Sequence, residues 1–433
     1  MSYRFRPLAA LVALAFVCSA EAAKPAKPAE KAAPAPVAAT AFELAHNLSP
    51  AGEERLQAVV DRFNKENGGN LKLTRLEKGD KPAGLNLLRR YDMSEVLSQP
   101  KSFMPLADMM AKAGQPLNVG ELSSELKASA TNAKGKLVAL PLIYSTPVMF
   151  YNKNAFRKAK LDPDQPPKTW FEMQGVLDKL QDAGYACPYT SSWPVWVHVD
   201  NVSNVSGNPA MSDKAQLTFN GLPQVKHIAM MATWSKAGFF RVFGRQDEAS
   251  KKFHEGECAM ITTDSREYVD FRDAKGVELG VAPLPYHDDV YGGRQNTLAD
   301  GASLWVGAGR SAAEYKQAAK FVSFVLSPEM QVEIVRTYGG LPLTAAARAA
   351  ARSKILKDDS DRTLEVAYES LKGNGPRPAL HVADIDPVRL IADEELETVW
   401  ANKKPAKAAL DTAVSRGNAV LGAKPGLKKA SPF

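Results

Sequence analysis

Apolar and polar positions alternate over residues 136–143 as in a strand with both faces against a core. A polar knot, Tyr144-Ser145-Thr146-Pro147, interrupts the run before residues 148–151 resume it, and Asn152 and Asn154 then signal a helix start. Hydroxyl residues trapped between two apolar strands predict that the chain leaves one compact unit there and enters another, exposing Tyr144, Ser145 and Thr146 at the join. Clefts of that kind are where small molecules most often bind. The plainer alternative is a satisfied hydroxyl in an ordinary strand-to-helix loop.

The same two periods recur along the chain. Residues 53–67 put Leu56, Val59, Val60 and Phe63 on one helical face, and 71–76 alternate like a strand. Residues 104–113 and 169–183 read as amphipathic helices, the second capped by Thr169 behind Gln165-Pro166-Pro167 and closed by Gly184. Helical spacing returns at 225–236 and 315–325, while 259–263, 279–282 and 303–306 are short apolar strands. Alternating helices and strands predict an α/β protein with parallel-rich sheets covered on both faces.

Residues 1–22 stand outside this pattern. Arg4 and Arg6, an apolar stretch too short to span a bilayer and Ala20-Glu21-Ala22 read as a secretory signal peptide, so an exported, soluble protein is expected. Cys18 lacks the usual small residue before it, which argues against lipidation. Residues 23–40, rich in Ala, Pro and Lys, read as a tether. About 390 residues follow, more than one core normally serves, which predicts two lobes. The formal charge of +7, or +6 without the leader's two arginines and one glutamate, is thinly spread. No basic run is interleaved with aromatics, so a nucleic-acid partner is not expected.

Candidate chemistry is sparse. Cys187 and Cys258 each lie beside a predicted strand, and the sequence leaves a disulfide and two free thiols equally open. The histidines are scattered, with no ligand spacing, so neither a metal nor a cofactor is expected. Phosphate-binding glycine loops and nucleophile elbows are absent, which argues against an enzyme. Four polar interruptions remain. Trp193 and Trp196 form either a satellite core or an aromatic wall against a ligand. Asp264-Ser265-Arg266 follows one strand, Asp300-Gly301-Ala302 precedes another, and Arg389 is either a surface ion pair or a fork for phosphate or carboxylate.

The run LPLIYSTPVMFYNKNAFRKAKLDPDQPPKTW, followed in order by PQVKHIAMM, GRQDEASKKFHEGECAM, GASLWVGAG and DEELETVWANKKPAKAALDTAVSRGNAVL, resembles the glycerol-3-phosphate-binding branch of the family 1 extracellular solute-binding proteins. These are periplasmic receptors of ABC importers, and the family includes maltose-binding protein. The likeness covers about Glu53 to Leu421, dense from Ala139 and thin before Phe103. It implies a two-lobe periplasmic-binding-protein fold with crossing strands as hinge. One lobe would hold residues 41–145 and 264–306, the other 146–263 and 307–433. Crossings would fall near 145–148, 262–265 and 305–309. The implied role is capture of glycerol 3-phosphate or a glycerophosphodiester by a monomer that delivers it to permease and ATPase subunits.

Carried over residue by residue, the resemblance places a hydroxyl contact at Ser145, a second-crossing contact at Asp264 with Ser265 beside it, a backbone donor at Gly301 and the anion-binding arginine at Arg389. Departures accompany these matches. Asp264 stands where the family has serine, Gly340 where it has tyrosine, with Tyr338 two residues earlier, and Ala45 where it has tryptophan, beside His46. The first lobe is shortened between Leu73 and Phe103, where Tyr91-Asp92 aligns loosely with an acidic contact. A carboxylate beside a phosphate costs binding energy unless it is protonated or paired, and Arg266 is the expected partner. The shortened lobe motivates a second reading, a repurposed two-lobe module that binds another sugar or polyol, or a protein or cell-envelope partner.

Overall fold

A computed structural model describes residues 42–77, 79–89, 100–132, 134–212, 214, 216–289, 293–354, 362–375 and 385–422. The expected leader and tether, and Tyr91-Asp92, lie outside these residues. Among the described residues eleven strands follow in chain order: β1 Phe42–His46, β2 Leu71–Arg75, β3 Leu85–Leu88, β4 Phe103–Met104, β5 Leu140–Ser145, β6 Pro147–Asn152, β7 Cys187–Ser191, β8 Phe240–Arg241, β9 Cys258–Asp264, β10 Leu279–Pro283 and β11 Asp300–Gly307. They build two sheets. One has the order β2-β1-β3-β11-β4 with β5 also paired to β11, the other β10-β6-β9-β7-β8. The sheets are mixed rather than parallel-rich, since β11 runs antiparallel to β3, β4 and β5, and β6 antiparallel to β9 and β10. β11 returns to the first sheet after the chain has passed through the second, whereas β6 is the strand by which the chain enters the second, and each runs against its neighbours.

Only Thr146 separates β5 in the first sheet from β6 in the second. Its buried polar groups must all be satisfied, and the segments just after β9 and just before β11 supply the partners. Thr146 Oγ1 bonds Thr297 Oγ1 at 2.6 Å and donates to the Leu298 carbonyl at 3.0 Å. The Thr146 carbonyl accepts from the Ser265 N–H at 3.0 Å. Residues 145–147, 264–265 and 297–300 therefore meet at one point. The passage expected at 305–309 is not there: β11 stays in the first sheet throughout, and the chain changes sheets between Pro283 and Asp300.

Two other segments fall differently from the sequence boundaries. β10, inside the stretch assigned to the first lobe, pairs with β6 of the second sheet from Leu279–Asn152 to Pro283–Val148. Helices Ala312–Leu326 and Pro328–Tyr338, assigned to the second lobe, bury Phe321, Val322, Val325 and Met330 in the core that holds Leu44, Leu85 and Leu304. β11 feeds directly into the first of these helices, so the short connection folds back on the sheet it has just left. Phe63, on helix Pro50–Asn67, meets Phe321 and Phe324 edge-on at 5.2 and 5.4 Å.

The second sheet has its own core around Met149, Trp170, Tyr189, Trp196 and Phe240. Helix Trp170–Asp182 starts as its sequence predicts, with Thr169 and Glu172 forming a reciprocal capping box. Cys187 and Cys258 stand opposite each other in the parallel pair β7–β9, 4.6 Å apart at Cα, and are joined by a disulfide. That closes the question the sequence left open.

A row of imidazoles crosses this core. His198 Nδ1 bonds His227 Nε2 at 3.0 Å, and His227 Nδ1 bonds His287 Nε2 at 3.1 Å. Tyr189 Oη lies 3.4 Å from His198 Nε2 and 2.6 Å from Thr262 Oγ1, which reaches β9. Trp170 covers the row, 4.8 Å from His227 between ring centres. Burial lowers all three imidazoles, His198 to about 3 and His287 to about 4, with neighbouring Lys226 adding to the effect at His287. The unfolded chain therefore binds protons near pH 6.5 that the folded chain refuses, so this stability is present above pH 6.5 and is lost as pH falls toward 4. Across that window the row pulls the urea midpoint down, with roughly 3 kcal/mol at stake for a histidine shifted as far as His287, while the carboxyls of Asp393 and Glu267, raised by burial to about 7 and about 8, pull the opposite way. His287→Gln should flatten the slope; an unchanged slope would show that the row does not set it.

Candidate functional site

The ends of β5, β9 and β11 bring four of the expected residues together. Ser145, the last residue of β5, is fully buried, pairs with Asp300 of β11, and donates from Oγ to the Asp300 carbonyl at 3.4 Å. Gly301 lies opposite Tyr144, so close that an added Cβ would sit 2.0 Å from the Ile143 carbonyl oxygen. Only glycine allows the strands this approach. The Gly301 N–H donates to Asp300 Oδ1 at 2.7 Å, so its donor is occupied in this state. Ser265 exchanges bonds with Thr146, its N–H to the carbonyl and its Oγ accepting from the Thr146 N–H at 3.4 Å.

Asp264 ends β9 opposite Pro147 and is 4% exposed. The expected pairing with Arg266 is present. Oδ2 accepts from Arg266 Nε and Nη2 at 2.9 and 2.6 Å, and Oδ1 accepts from the Arg266 backbone N–H at 2.9 Å. Burial alone would raise this carboxyl, but the Arg266 charge and hydrogen bonds, joined by the Ser145 hydroxyl, outweigh it and hold the group below its ordinary range. Asp264 is therefore an internal anion already matched. Gly340 lies in the loop that closes over this corner. Leu341 N–H donates to the Tyr144 carbonyl at 2.8 Å, and Gly339, at φ 66°, runs so close to Arg266 that a Cβ there would sit 2.6 Å from its carbonyl oxygen.

Arg389 reaches the same corner from helix Ile385–Trp400. Its side chain is only 12% exposed, so the guanidinium points inward. Nη2 donates to Asp200 Oδ2 at 3.3 Å and to Asp300 Oδ2 at 3.4 Å. Asp200 comes from the π-helical turn Val195–Asn201 beside the second sheet and Asp300 from the first, so the arginine ties elements of both. One turn along the helix, burial lifts the Asp393 carboxyl to about 7, against the pull of Arg245 and Arg389. Trp193 is half-buried against the second core, its backbone N–H donating to the Gln246 carbonyl at 2.8 Å, whereas Trp196 is buried in that core. Ser192 N–H donates to the Thr262 carbonyl, which places Trp193 beside β9. Nothing in the sequence marks Asp200 or Asp300 as a partner of Arg389. No periodic signal marks a carboxylate whose partner is 189 or 89 residues away.

Residues 58–363 match a family model described as bacterial extracellular solute-binding protein. The chain is 34% identical over 409 residues to the sn-glycerol-3-phosphate-binding periplasmic protein UgpB of Pectobacterium atrosepticum, covering 89% of this chain and 92% of that protein. Among solved structures, UgpB from Mycobacterium tuberculosis in complex with glycerophosphocholine superposes with a TM-score of 0.74 at 19% identity, covering 88% of this chain and 98% of that one. The cyclic alpha-maltosyl-1,6-maltose binding protein from Arthrobacter globiformis gives 0.70 at 19% identity, covering 88% and 99%. At such identities the structural likeness establishes the fold, which is that of maltose-binding-protein-like solute-binding proteins.

The Asp264–Arg266 pair makes a direct prediction. Asp264→Ala strands the guanidinium and should cost about 1–2 kcal/mol, less than the roughly 3–5 kcal/mol of a fully buried pair because the Arg266 side chain is 31% exposed. In a double-mutant cycle by urea denaturation, Asp264→Ala combined with Arg266→Ala should cost less than the sum of the two single changes. Strict additivity would mean that the pair contributes nothing beyond its separate contacts.

Proposed function

This chain belongs to the bacterial extracellular solute-binding proteins, and from that membership we propose that it is the periplasmic capture subunit of an ABC importer, taking glycerol 3-phosphate or a glycerophosphodiester to permease and ATPase subunits. The relatives named above are binding proteins, and this reading gives the chain no reaction of its own. No helix among the described residues is long and apolar enough to cross a membrane. The observation that carries the reading is the inward guanidinium of Arg389, held beside the Ser145–Asp300 strand pair where the two sheets meet. A guanidinium fork there can take phosphate oxygens, with Ser145, Ser265 and, once Asp300 releases it, the Gly301 N–H as supporting hydrogen-bond groups and Trp193 as a flanking wall. Asp264 serves by holding Arg266, and Gly340 by leaving room at the closing loop.

Ser145 is sealed, so a solute reaches it only when the elements around it part. We assign that opening to two lobes built on the two sheets, hinged at Thr146 and at the neighbouring passages, in the manner of domain closure around a ligand. A neutral sugar or polyol is the second reading. It is favoured by the two carboxylates that already meet the charge of Arg389.

Thermal denaturation separates the two readings. Glycerol 3-phosphate or glycerophosphocholine should raise the melting temperature of the purified protein in proportion to the logarithm of ligand concentration. Arg389→Ala should weaken that binding at least about 30-fold, the loss expected when a charged hydrogen-bond donor is removed from a desolvated anion site. A shift with maltose or glycerol and none with either phosphate ester would overturn the phosphate reading.

A further inference from the structure

The phosphate reading leaves one feature of the site unused, the two carboxylates that share a single nitrogen of Arg389. Both Asp200 Oδ2 and Asp300 Oδ2 lie within 3.4 Å of Nη2. The three side chains are 12%, 20% and 20% exposed, so solvent screens them only in part. Asp300 is also held in place. Its other oxygen accepts the Gly301 N–H at 2.7 Å, which orients the carboxylate from its own backbone. Asp393, buried one turn along the helix, adds a third acid that interacts with both Arg389 and Asp200. On the far side of Ser145, Arg266 is committed to Asp264.

We propose that Asp300, seconded by Asp200, is the charge selector of this site, favouring singly charged phosphodiesters over doubly charged phosphomonoesters. The inference rests on the phosphate reading above and deepens it. A phosphate that approaches Arg389 meets a guanidinium whose charge is already compensated, and it must lie beside the carboxylates or displace one. The Coulomb penalty of lying beside them scales with the charge of the newcomer. A monoester carries between about −1.5 and −2 at neutral pH, as phosphorylated side chains do. A diester carries a single charge and retains two oxygens that can accept from the guanidinium. Asp300 thereby sets which ester is admitted, while Arg389 provides the attraction common to both.

The test is calorimetric titration of the wild type, Asp300→Asn and Asp200→Asn with glycerol 3-phosphate and with glycerophosphoglycerol, a diester of one charge. All titrations are run at pH 8 and one ionic strength, where the monoester is doubly charged. Asparagine keeps an acceptor for the Gly301 N–H, so Asp300→Asn isolates the charge. It should tighten the monoester about 10-fold and the diester about 3-fold or less, and Asp200→Asn should move the ratio in the same direction. Equal shifts for the two esters, or weakening of both in a variant whose melting temperature is unchanged, would overturn the selector. If Asp300→Asn does not fold, the ratio measured with Asp200→Asn decides. Should Arg389→Ala leave both affinities intact, the phosphate reading itself fails, a result distinct from failure of the selector.

Discussion

A single residue, Thr146, carries the chain from one sheet to the other, and the need to satisfy its buried polar groups draws the other strand ends together. The Thr146 hydroxyl needs partners, and Thr297 and Leu298 provide them; its carbonyl needs a donor, and Ser265 provides one. An unpaired polar group at such a depth costs about 1–3 kcal/mol, so these bonds fix the geometry of the join. Ser145, Asp264 and Gly301 take their places as a consequence. Ser145 and Asp264 flank the bonded residues Thr146 and Ser265, and Gly301 follows Leu298 three residues later, at the start of β11. The candidate site is thus a by-product of a sheet-to-sheet passage made in one residue, and rigid strands rather than loops position its polar groups.

Charge is arranged around that join in matched sets. Asp264 with Arg266, and Asp200 and Asp300 with Arg389, put each guanidinium against at least one carboxylate. Buried pairs of this kind contribute little net stability, because desolvation offsets most of the Coulomb gain. Their effect is to fix geometry and to decide what else can enter. Arg389 reaches from a helix beside the second sheet to a strand of the first, so its pairing reports on how the two sheets stand toward each other. A solute that competes for this guanidinium acts on the same contact, which links recognition to any opening of the join.

Much of this could be read in the chain itself. The polar knot at 144–147 lies between two apolar runs and marks the sheet-to-sheet passage where it occurs, but Tyr144, Ser145 and Thr146 are buried there rather than exposed as expected, because their polar groups pair across the join. Thr169 and Glu172 announce the helix they cap, and the apolar face of residues 53–67 is buried as its spacing requires. Other features are long-range and have no local signature. β1 and β3 are five and four residues long, too short for a periodic signal to stand out. β10 looks like any short apolar strand, and its partner β6 is set by tertiary pairing. The disulfide depends on the register of two strands 71 residues apart in sequence. Trp193 and Trp196 look alike in the chain, and packing sends one into the core and leaves the other half-exposed. The carboxylate partners of Arg389 escaped notice for the same reason, since ion pairs across a join follow from the fold rather than from spacing.

The account stands or falls on where a solute sits. A crystal structure of the protein grown with a saturating phosphate ester would show this most directly. The account predicts phosphate oxygens within about 3 Å of the Arg389 guanidinium, with Ser145 and the Gly301 N–H lining the same enclosure and the Arg389–Asp300 contact altered. Ester density elsewhere on the molecule, with Arg389 still bridging Asp200 and Asp300 as it does here, would contradict it.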